Sequence, residues 1–339
     1  MQSRTAGNGR AAPLRMIARK LIFYVITAFA AVTVDFFIPH AMPGNPVEAV
    51  LARMQGNVTQ ATIRSLELTY GIGSHQNILT QYLHFWQKLL HGNLGISTSS
   101  YPATVTSVIS GALPWTLGLV GTATLISFAL GTLLGVLVAW RRGTWLDNLL
   151  PVTTFFQAAP YFFVAFLALQ LFSSSLGWFP SVGAYTQGTE FPGWNGAYIV
   201  DVLHHAVLPA VTIVICSAAG WIVGTRNVML TTMDEDYVLI AQAKGLPRSR
   251  VIWYAARNAV LPSVSGFSLA VGFVVSGALL TEIVFSYPGL GWILLQAVGN
   301  RDYPLLQGIF LIITFAVLAA NLIADCVYIF LDPRIRQEA

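Results

Sequence analysis

The feature that most constrains the fold is a long interval without charge. Residues 92–140 contain no Asp, Glu, Lys or Arg, and an apolar run of about 18 or more residues is long enough to cross a bilayer as a helix. The whole chain is 55% hydrophobic and 9% charged, whereas soluble domains carry roughly 25% charged residues. So few charged residues are not enough to shield this much apolar surface from water in a soluble protein. The sequence therefore predicts an all-α polytopic membrane protein.

Apolar runs separated by polar intervals predict six transmembrane helices. The predicted spans are residues 17–39, 113–140, 149–172, 204–224, 261–284 and 305–331. Residues 1–16 form a basic tail before the first span and residues 332–339 follow the last. The first span is long for a signal peptide and no clear cleavage site follows it, so we expect an uncleaved anchor.

The largest polar insertion, residues 40–112, separates the first two spans. Apolar side chains recur in it at helical spacing: Leu79, Tyr82, Leu83, Trp86, Leu89 and Leu90. The pattern predicts short amphipathic helices that contact the membrane face or another protein. Tyr82 and Trp86 are equally compatible with anchoring at the membrane interface.

The distribution of basic residues predicts the orientation of the chain. Fourteen of the 18 Lys and Arg residues lie in the N-terminal segment, the 141–148 turn, the 225–260 stretch and the C-terminus. Because Lys and Arg are enriched in cytoplasmic segments, we expect both termini in the cytoplasm. The insertion 40–112 and the loop 173–203 then face outward. This asymmetry accounts for the net charge of +4 without a nucleic-acid partner.

The 229–260 stretch is the longest charged interval in the second half of the chain. It contains three acidic residues that suit a helix N-terminus: Asp234, Glu235 and Asp236. Gly245, followed by Leu246 and Pro247, predicts the end of that helix and a tight turn. A second helix at about 247–258 then returns to the membrane. Two short helices around a glycine corner would form a knob on the cytoplasmic side.

The predicted tip of this knob is apolar for a solvated loop. It is expected to expose Tyr237, Ile240, Ala241 and Leu246. Such a tip favours a docking surface, although an ordinary cytoplasmic loop is equally compatible with the residues alone.

Three acidic residues fall within predicted spans. A charge at the centre of a span costs about 2.5–3.5 kcal/mol on insertion scales, so acidic residues there are candidate functional groups. Asp35 and Glu282 lie near the outer ends of their spans, and Asp325 lies near the cytoplasmic end of the sixth. Each is compatible with lining a path through the membrane, pairing with neighbouring protein, or reaching the interface.

No motif in the sequence predicts catalysis, metal binding or nucleotide binding. The phosphate-binding pattern G-x-x-x-x-G-K-[ST] does not occur, and the run GTLLG at 131–135 is typical of close helix contacts. His204 and His205 lie at the outer end of a span and are expected to pack at the interface. A membrane-embedded enzyme would need paired catalytic groups at matching depth, and we identify none.

Residues 241–262 resemble the cytoplasmic coupling motif of ABC importer permeases. The general motif is Glu-Ala-Ala, three residues, Gly, and a distal Leu-Pro. Ala241 matches its second Ala, Gly245 its Gly, and residues 261–262 the closing pair, while Leu239 and Ile240 replace the Glu and the first Ala. In the oligopeptide, dipeptide and nickel permease group the loop reads close to Tyr-Val-x-x-Ala-x-Ala-Lys-Gly-Leu, which residues 237–246 fit.

Further segments resemble the same group along nearly the whole chain. They are MPGNP at 42–46, GNLGIS at 92–97, TEIVFSYPGLGW at 281–292, RDYPLLQG at 301–308 and LDPRIR at 331–336. Asn45 and Asn93 stand where that group has Asp, so no charge-dependent role is carried over to those two positions.

The resemblance implies a type I ABC importer permease fold in a bacterial plasma membrane. It implies a second permease subunit, two ATP-binding subunits that carry ATP and Mg, and an extracellular solute-binding protein, with no cofactor on this chain. ATP-driven closure of the ATPase subunits would push the knob and rock the spans. The residues implied for this coupling are Glu235, Asp236, Tyr237, Ile240, Ala241, Lys244, Gly245 and Leu246.

The substrate implied by the resemblance is a peptide. The same group includes permeases for nickel, glutathione and oligosaccharides, and these alternatives stay open because selectivity rests largely with the solute-binding protein. A secondary transporter driven by an ion gradient is the alternative of a different class. The scarcity of buried carboxylates and the coupling knob favour the ATP-driven importer.

Overall fold

The computed structural model describes residues 11–41, 77–188, 193, 195–260, 262–264, 266–267, 270 and 279–331. Regular structure in these ranges is helical, apart from an isolated antiparallel bridge between Ile96 and Thr104. The predictions for residues 1–10, 42–76 and 332–339 lie outside the described residues. So do those for most of the fifth predicted span, residues 261–284.

The described helices are numbered here in chain order. They are α1 (Ala11–Ala41), α2 (Ile78–Leu90), α3 (Val105–Thr116), α4 (Thr122–Trp140), α5 (Leu150–Ala158), α6 (Tyr161–Ala168), α7 (Gly196–Met233), α8 (Asp236–Ala243), α9 (Arg248–Ala259), α10 (Leu279–Val284), α11 (Leu290–Asn300) and α12 (Tyr303–Leu331). π-Helical segments follow α3 at Leu117–Gly121 and α6 at Leu169–Ser175, and a 3₁₀ turn at Trp145–Leu149 precedes α5.

Several of these helices are long and apolar enough to cross a membrane. Within the described ranges they are Arg19–Ile38, Val105–Trp140, Gly196–Met233 and Tyr303–Ile323. The pair Trp145–Ala158 and Tyr161–Ser175 passes the same test as one span but is bent by 104°. The prediction of an all-helical, multi-pass membrane protein is confirmed. The number six stays a prediction.

The predicted third span, residues 149–172, is not one straight helix. It breaks between α5 and α6 at Pro160, which adopts an extended conformation and stands at the N-cap position of α6. Proline has no backbone N–H to continue the hydrogen-bond ladder of a helix. The chain therefore turns sharply there, and residues 145–175 form two helices.

Four predicted spans are shorter than the observed helices. The first is observed as Ala11–Ala41 rather than 17–39, so its helix includes the end of the predicted tail, and the sixth is observed as Tyr303–Leu331 rather than 305–331. The second begins at Val105 rather than at 113, and the fourth extends over Gly196–Met233 rather than 204–224. Hydropathy locates only the apolar part of a helix, whereas the helix itself ends where its caps are. Asn195 supplies such a cap for α7, since its side chain accepts a hydrogen bond from the backbone N–H of Tyr198 at 2.7 Å.

The described chain divides into two compact units, residues 1–115 with 289–339, and residues 116–288. In the first unit α1 and α12 run antiparallel. Asp325 near the end of α12 lies 2.7 Å from Lys20 Nζ and accepts a hydrogen bond from the Tyr24 hydroxyl at 2.8 Å. Near the other end of the pair, Gln307 Nε2 donates to the backbone carbonyl of Asp35 at 3.4 Å.

Helix α2 packs on α1 through aromatic rings. Trp86 stacks on Phe29 with ring centroids 5.4 Å apart, and Phe36 contacts Tyr82 at 5.2 Å. The Tyr82 hydroxyl also hydrogen-bonds Thr33 Oγ1 at 2.8 Å. The predicted amphipathic helix is confirmed, and its aromatic face covers α1. The leucine face does not share this contact, because Leu79, Leu83 and Leu90 are exposed.

A buried carboxylate joins the 97–99 segment to the start of α12. Asp302 is fully buried and accepts hydrogen bonds from Ser97 Oγ and from the backbone N–H and hydroxyl of Ser99, the last two at 2.8 and 2.6 Å. It also accepts from the Leu305 N–H at 3.1 Å, which caps α12. Hydrogen bonds to a charged acceptor are the strong ones in proteins, so this contact pins the start of the helix.

The second unit is centred on the contact between α4 and α7. A Cβ added to Gly131 would lie 2.5 Å from Trp221 Cβ and 2.8 Å from the Ala218 carbonyl oxygen. One added to Gly135 would lie 2.8 Å from the carbonyl oxygen of Ile222. The 131–135 run is thus the close helix contact that its spacing predicts, because only glycine permits the backbones to approach so closely.

Replacing these glycines is expected to destabilise the second unit. Gly131→Ala and Gly135→Ala should each lower the free energy of unfolding by about 1–3 kcal/mol, the usual cost of overpacking. Gly224→Ala on α7 is the matched control, because its Cβ would meet no described atom within 4 Å. Thermal unfolding in detergent compares the three variants. A melting temperature of the Gly131 or Gly135 variant equal to that of the control would contradict the contact.

The Lys20–Asp325 pair is expected to stabilise the contact between α1 and α12. Lys20→Ala and Asp325→Ala should each destabilise the protein, because each leaves a partly buried charge without its partner. The double variant should lose less than the sum of the two, with a coupling of about 1 kcal/mol. Arg19→Ala, one residue away and exposed, serves as the control. Additive losses in a double-mutant cycle would exclude a direct interaction.

Candidate functional site

The candidate site is the 234–260 knob, which consists of α8, a corner at residues 244–247, and α9. At the corner Gly245 has a φ of +70°, a conformation that costs any residue with a Cβ. The Gly245 N–H donates to the Gln242 carbonyl at 2.9 Å and the Leu246 N–H to the Ala241 carbonyl at 3.3 Å. These two bonds form the Schellman motif. The predicted helix–corner–helix arrangement is therefore present, with a defined turn.

Acidic residues lie at the start of the knob as predicted. Asp234 ends α7, Glu235 occupies the N-cap position of α8, and Asp236 lies in its first turn. No side-chain hydrogen bond caps α8. The acidic residues therefore favour the helix through their charge beside its positive end, and their side chains are exposed.

The interior of the knob is continuous with the long helices beside it. Val238 of α8, Ala255 of α9 and Met229 of α7 are fully buried in one apolar cluster. The same cluster includes Val136 and Ala139 from the last turns of α4. A shared close-packed core transmits displacement, because packed interiors deform little. The knob is therefore braced against α4 and α7 rather than suspended from its two ends.

The prediction that Ala241 and Leu246 are exposed at the tip is wrong. Ala241 is only 8% exposed and belongs to the apolar cluster, and Leu246 is partly buried against it. The reason is helical periodicity, since Ala241 lies one turn after Val238 and shares its buried face. The predicted exposure of Tyr237 and Ile240 is confirmed, at 39% and 54%.

Other residues in α8 and at its two ends are exposed beside Tyr237 and Ile240. Leu239 is 48% exposed, and Glu235, Asp236, Lys244 and Gly245 are exposed as well. The two helices of the knob are tied together by Asn258 Nδ2, which donates to the Tyr237 hydroxyl at 2.8 Å. The outer surface of α8 thus combines apolar side chains with charges of both signs.

The outer face of α9 is a feature that sequence reasoning missed. Arg250, Trp253, Tyr254 and Arg257 follow one another at the i, i+3, i+4, i+7 spacing of a helix face. Trp253 and Tyr254 are exposed, and the Arg257 guanidinium lies 5.6 Å from the centre of the Trp253 ring. The i, i+3, i+4, i+7 spacing of these four residues was the feature of the sequence that predicts an exposed face.

The three carboxylates predicted within spans differ in their described contacts. Asp325 is paired with Lys20 and Tyr24, as given above. Asp35, only 5% exposed, has no described hydrogen-bond partner on either carboxylate oxygen, and it lies toward the opposite end of the α1–α12 contact. Glu282 is fully buried in α10, in the other unit, and its backbone carbonyl accepts from the Tyr287 N–H at 2.8 Å.

Metal binding finds no support in the described ranges. No group of three or more His, Cys, Asp or Glu side chains there is arranged to hold a metal ion. What the knob offers chemically is a stiff, exposed contact surface with an apolar centre.

Comparisons with known proteins identify the family. Residues 131–337 match the family described as binding-protein-dependent transport system inner membrane component. The chain is 33% identical to a putative peptide permease protein of Brucella suis biovar 1 (strain 1330) over 95% of this chain and 99% of that protein. It is 32% identical to the di/tripeptide transport system permease protein of Pseudomonas aeruginosa (strain UCBPP-PA14), over 96% and 99%.

An oligopeptide transport system permease protein of Bacillus subtilis (strain 168) is 32% identical over 94% of this chain and 98% of that protein. The matched region of the family, residues 131–337, includes the whole knob and the long helices that brace it. The relatives extend the similarity to the N-terminal part of the first unit as well. The chain therefore belongs to the family of binding-protein-dependent transport system inner membrane components, and it is the permease subunit of an ABC importer rather than an enzyme.

Proposed function

We propose that this permease imports short peptides and that the 234–260 knob couples the import to ATP hydrolysis on a partner subunit. The observation that carries the proposal is the apolar cluster shared by α8, α9, α4 and α7. A push on α8 is delivered through that cluster to two long helices, so the spans respond as rigid bodies. Peptides are the proposed substrates because the three relatives described above are peptide permeases by name.

The proposed topology has six spans and both termini in the cytoplasm of a bacterial cell. It combines the four long apolar helices and the bent pair with a further span at 261–284. The excess of Lys and Arg in the N-terminal segment, the 141–148 turn, the 225–260 stretch and the C-terminus supports the orientation. The knob then lies in the cytoplasm. Residues 40–112 and 173–203 lie outside.

The proposed partner of α8 is a groove on an ATP-binding subunit. Tyr237, Leu239 and Ile240 are exposed together on α8, with Glu235 and Asp236 at its start and Lys244 at its end. Apolar side chains rimmed by charges are typical of a protein contact. Ala241, Gly245 and Leu246 contribute differently, because the first and last pack in the cluster and Gly245 forms the corner.

The complete machine is proposed to contain two ATP-binding subunits, a second permease subunit and an extracellular solute-binding protein. ATP and Mg²⁺ belong to the ATP-binding subunits, since the 339-residue sequence contains no phosphate-binding loop. The second permease completes the translocation path, and the solute-binding protein delivers the peptide.

The acidic residues of the spans are proposed to have two different roles. Asp35 and Glu282 are buried carboxylates near the proposed outer ends of spans, and they remain proposed path or subunit-contact residues. The contacts of Asp325 with Lys20 and Tyr24 support a role in holding α1 against α12 instead.

The direct test uses the assembled transporter reconstituted in vesicles with its solute-binding protein. Uptake of labelled di- and tripeptides is measured beside ATP hydrolysis. The proposal requires uptake that depends on ATP and on the binding protein. Uptake driven by an ion gradient without ATP would overturn it, and uptake of only an oligosaccharide, nickel or glutathione would overturn the peptide assignment alone.

In the same assay Gly245→Val should uncouple hydrolysis from uptake. The substituted residue strains the positive φ at the corner by about 1–2 kcal/mol, so α8 no longer holds its orientation. Peptide uptake per ATP hydrolysed is expected to fall by about tenfold or more, while the permease still inserts and assembles. Gly245→Asn is the matched control, because Asn tolerates this conformation, and it should retain most of the coupling. Normal coupling in the Val variant would contradict the role of the corner.

A further inference from the structure

The outward face of α9 carries residues that take no part in the proposed contact of α8 with an ATP-binding subunit. Arg250, Trp253, Tyr254 and Arg257 form one stripe along the helix, opposite the buried stripe that begins at Val251. Trp253 is 59% exposed and Tyr254 is 44% exposed. Two large aromatic side chains between two arginines are unusual on a surface that contacts only water, since exposed apolar surface tends to mark an interaction site.

The arginines of this stripe have no acidic partner in the part of the chain that the structure describes. The ion pairs there are Lys20–Asp325, His205–Asp201 and Arg226–Asp147, and α9 itself contains no Asp or Glu. Arg257 lies over the Trp253 ring instead. The stripe therefore carries uncompensated positive charge beside aromatic rings.

The depth of α9 is set by its buried side. Val251, Ala255 and Ala259 share a cluster with Val136 and Ala139 of α4, and α4 ends at Trp140, where Arg141 and Arg142 close the uncharged run. The cluster therefore lies at the level where the spans leave the hydrocarbon. Trp and Tyr are enriched at this level of a membrane, and Arg there meets lipid headgroups.

The stripe also contains two shallow hollows on either side of Tyr254. One of about 320 Å³ is lined by Tyr237, Tyr254, Arg257 and Asn258. The other, of about 490 Å³, is lined by Ser249, Arg250, Trp253 and Tyr254. Each is lined by an arginine together with Tyr254, whereas the Tyr237 hydroxyl of the first is already bonded to Asn258. These arginine and tyrosine donors suit the oxygen atoms of a phosphodiester.

We propose that this face of α9 binds the headgroups of anionic phospholipids, such as phosphatidylglycerol, in the adjacent leaflet. The arginines contact the phosphates, and Trp253 and Tyr254 enter the headgroup region. The lipid contact fixes the outer side of α9 while the apolar cluster fixes its inner side. A push on α8 then moves α4 and α7 rather than tilting the knob. The inference rests on the proposed placement of the knob at the membrane surface, and it does not depend on the transported substrate.

The test uses the assembled transporter in nanodiscs of phosphatidylcholine. Two preparations are compared: in one, the nanodiscs contain added phosphatidylglycerol with brominated acyl chains, and in the other the same fraction of phosphatidylcholine is brominated. Brominated chains quench tryptophan fluorescence at short range. The signal of Trp253 is the difference between the wild type and Trp253→Phe. We expect stronger quenching of this signal by brominated phosphatidylglycerol than by brominated phosphatidylcholine at equal mole fraction.

Variants of the stripe identify the headgroup contact. Arg250→Gln and Arg257→Gln should each raise the mole fraction of phosphatidylglycerol at half-quenching by about fivefold, the contribution typical of one arginine near an anionic surface. Arg248→Gln is the matched control. Arg248 lies two residues before Arg250, so its side chain points about 200° away from that of Arg250 around the helix. Its replacement should change the mole fraction of phosphatidylglycerol at half-quenching little.

Three results would overturn the proposal. Absence of Trp253 quenching by either lipid would place the face away from the bilayer. Equal quenching by both lipids, unchanged by the arginine variants, would show ordinary interfacial anchoring without a headgroup site. Loss of the ATP-binding subunits from the Arg250 and Arg257 variants would identify a protein as the occupant. ATP-driven peptide uptake by the wild-type transporter is measured separately. It tests the proposed function whether or not the lipid contact is found.

Discussion

The knob depends on one physical constraint, the apolar cluster that α8 and α9 share with α4 and α7. Val238, Ala255 and Met229 are fully buried in it, and Val136 and Ala139 continue it into the last turns of α4. Two helices as short as α8 and α9 are marginal in isolation, so their position comes from this packing. The close approach of α4 to α7 supports the cluster, since it brings together the helices that line it.

A second constraint holds the first unit, and it joins two motifs that are far apart in the sequence. The run GNLGIS at 92–97 and the run RDYPLLQG at 301–308 meet where Asp302 accepts hydrogen bonds from Ser97 and Ser99. Just beyond, Gly308 lies so close to α3 that a Cβ added to it would overlap Val105 Cγ1. These two motifs, by which the chain resembles its family, are thus joined by contacts of this fold.

Sequence reasoning located the turn of the knob, but it missed contacts that depend on distant neighbours and a break inside an apolar run. The Gly245 corner could be predicted because its turn chemistry lies within a few residues. The burial of Ala241 could not, because it depends on which side of α8 is covered by α4 and α7. The role of Asp302 was missed because its serine partners lie some two hundred residues away. The break at Pro160 was hidden because hydropathy averages over a proline in an apolar run.

The most direct test of the coupling role is a cross-linking measurement on the assembled transporter. A version with Cys216→Ala and Cys326→Ala carries a single new cysteine, either Ile240→Cys on α8 or Gln187→Cys on the loop proposed to lie outside, both at exposed positions. A short thiol cross-linker should join position 240 to an ATP-binding subunit and leave position 187 unlinked to it. Absence of that product at 240, or its appearance at 187, would contradict docking of α8 on the ATPase.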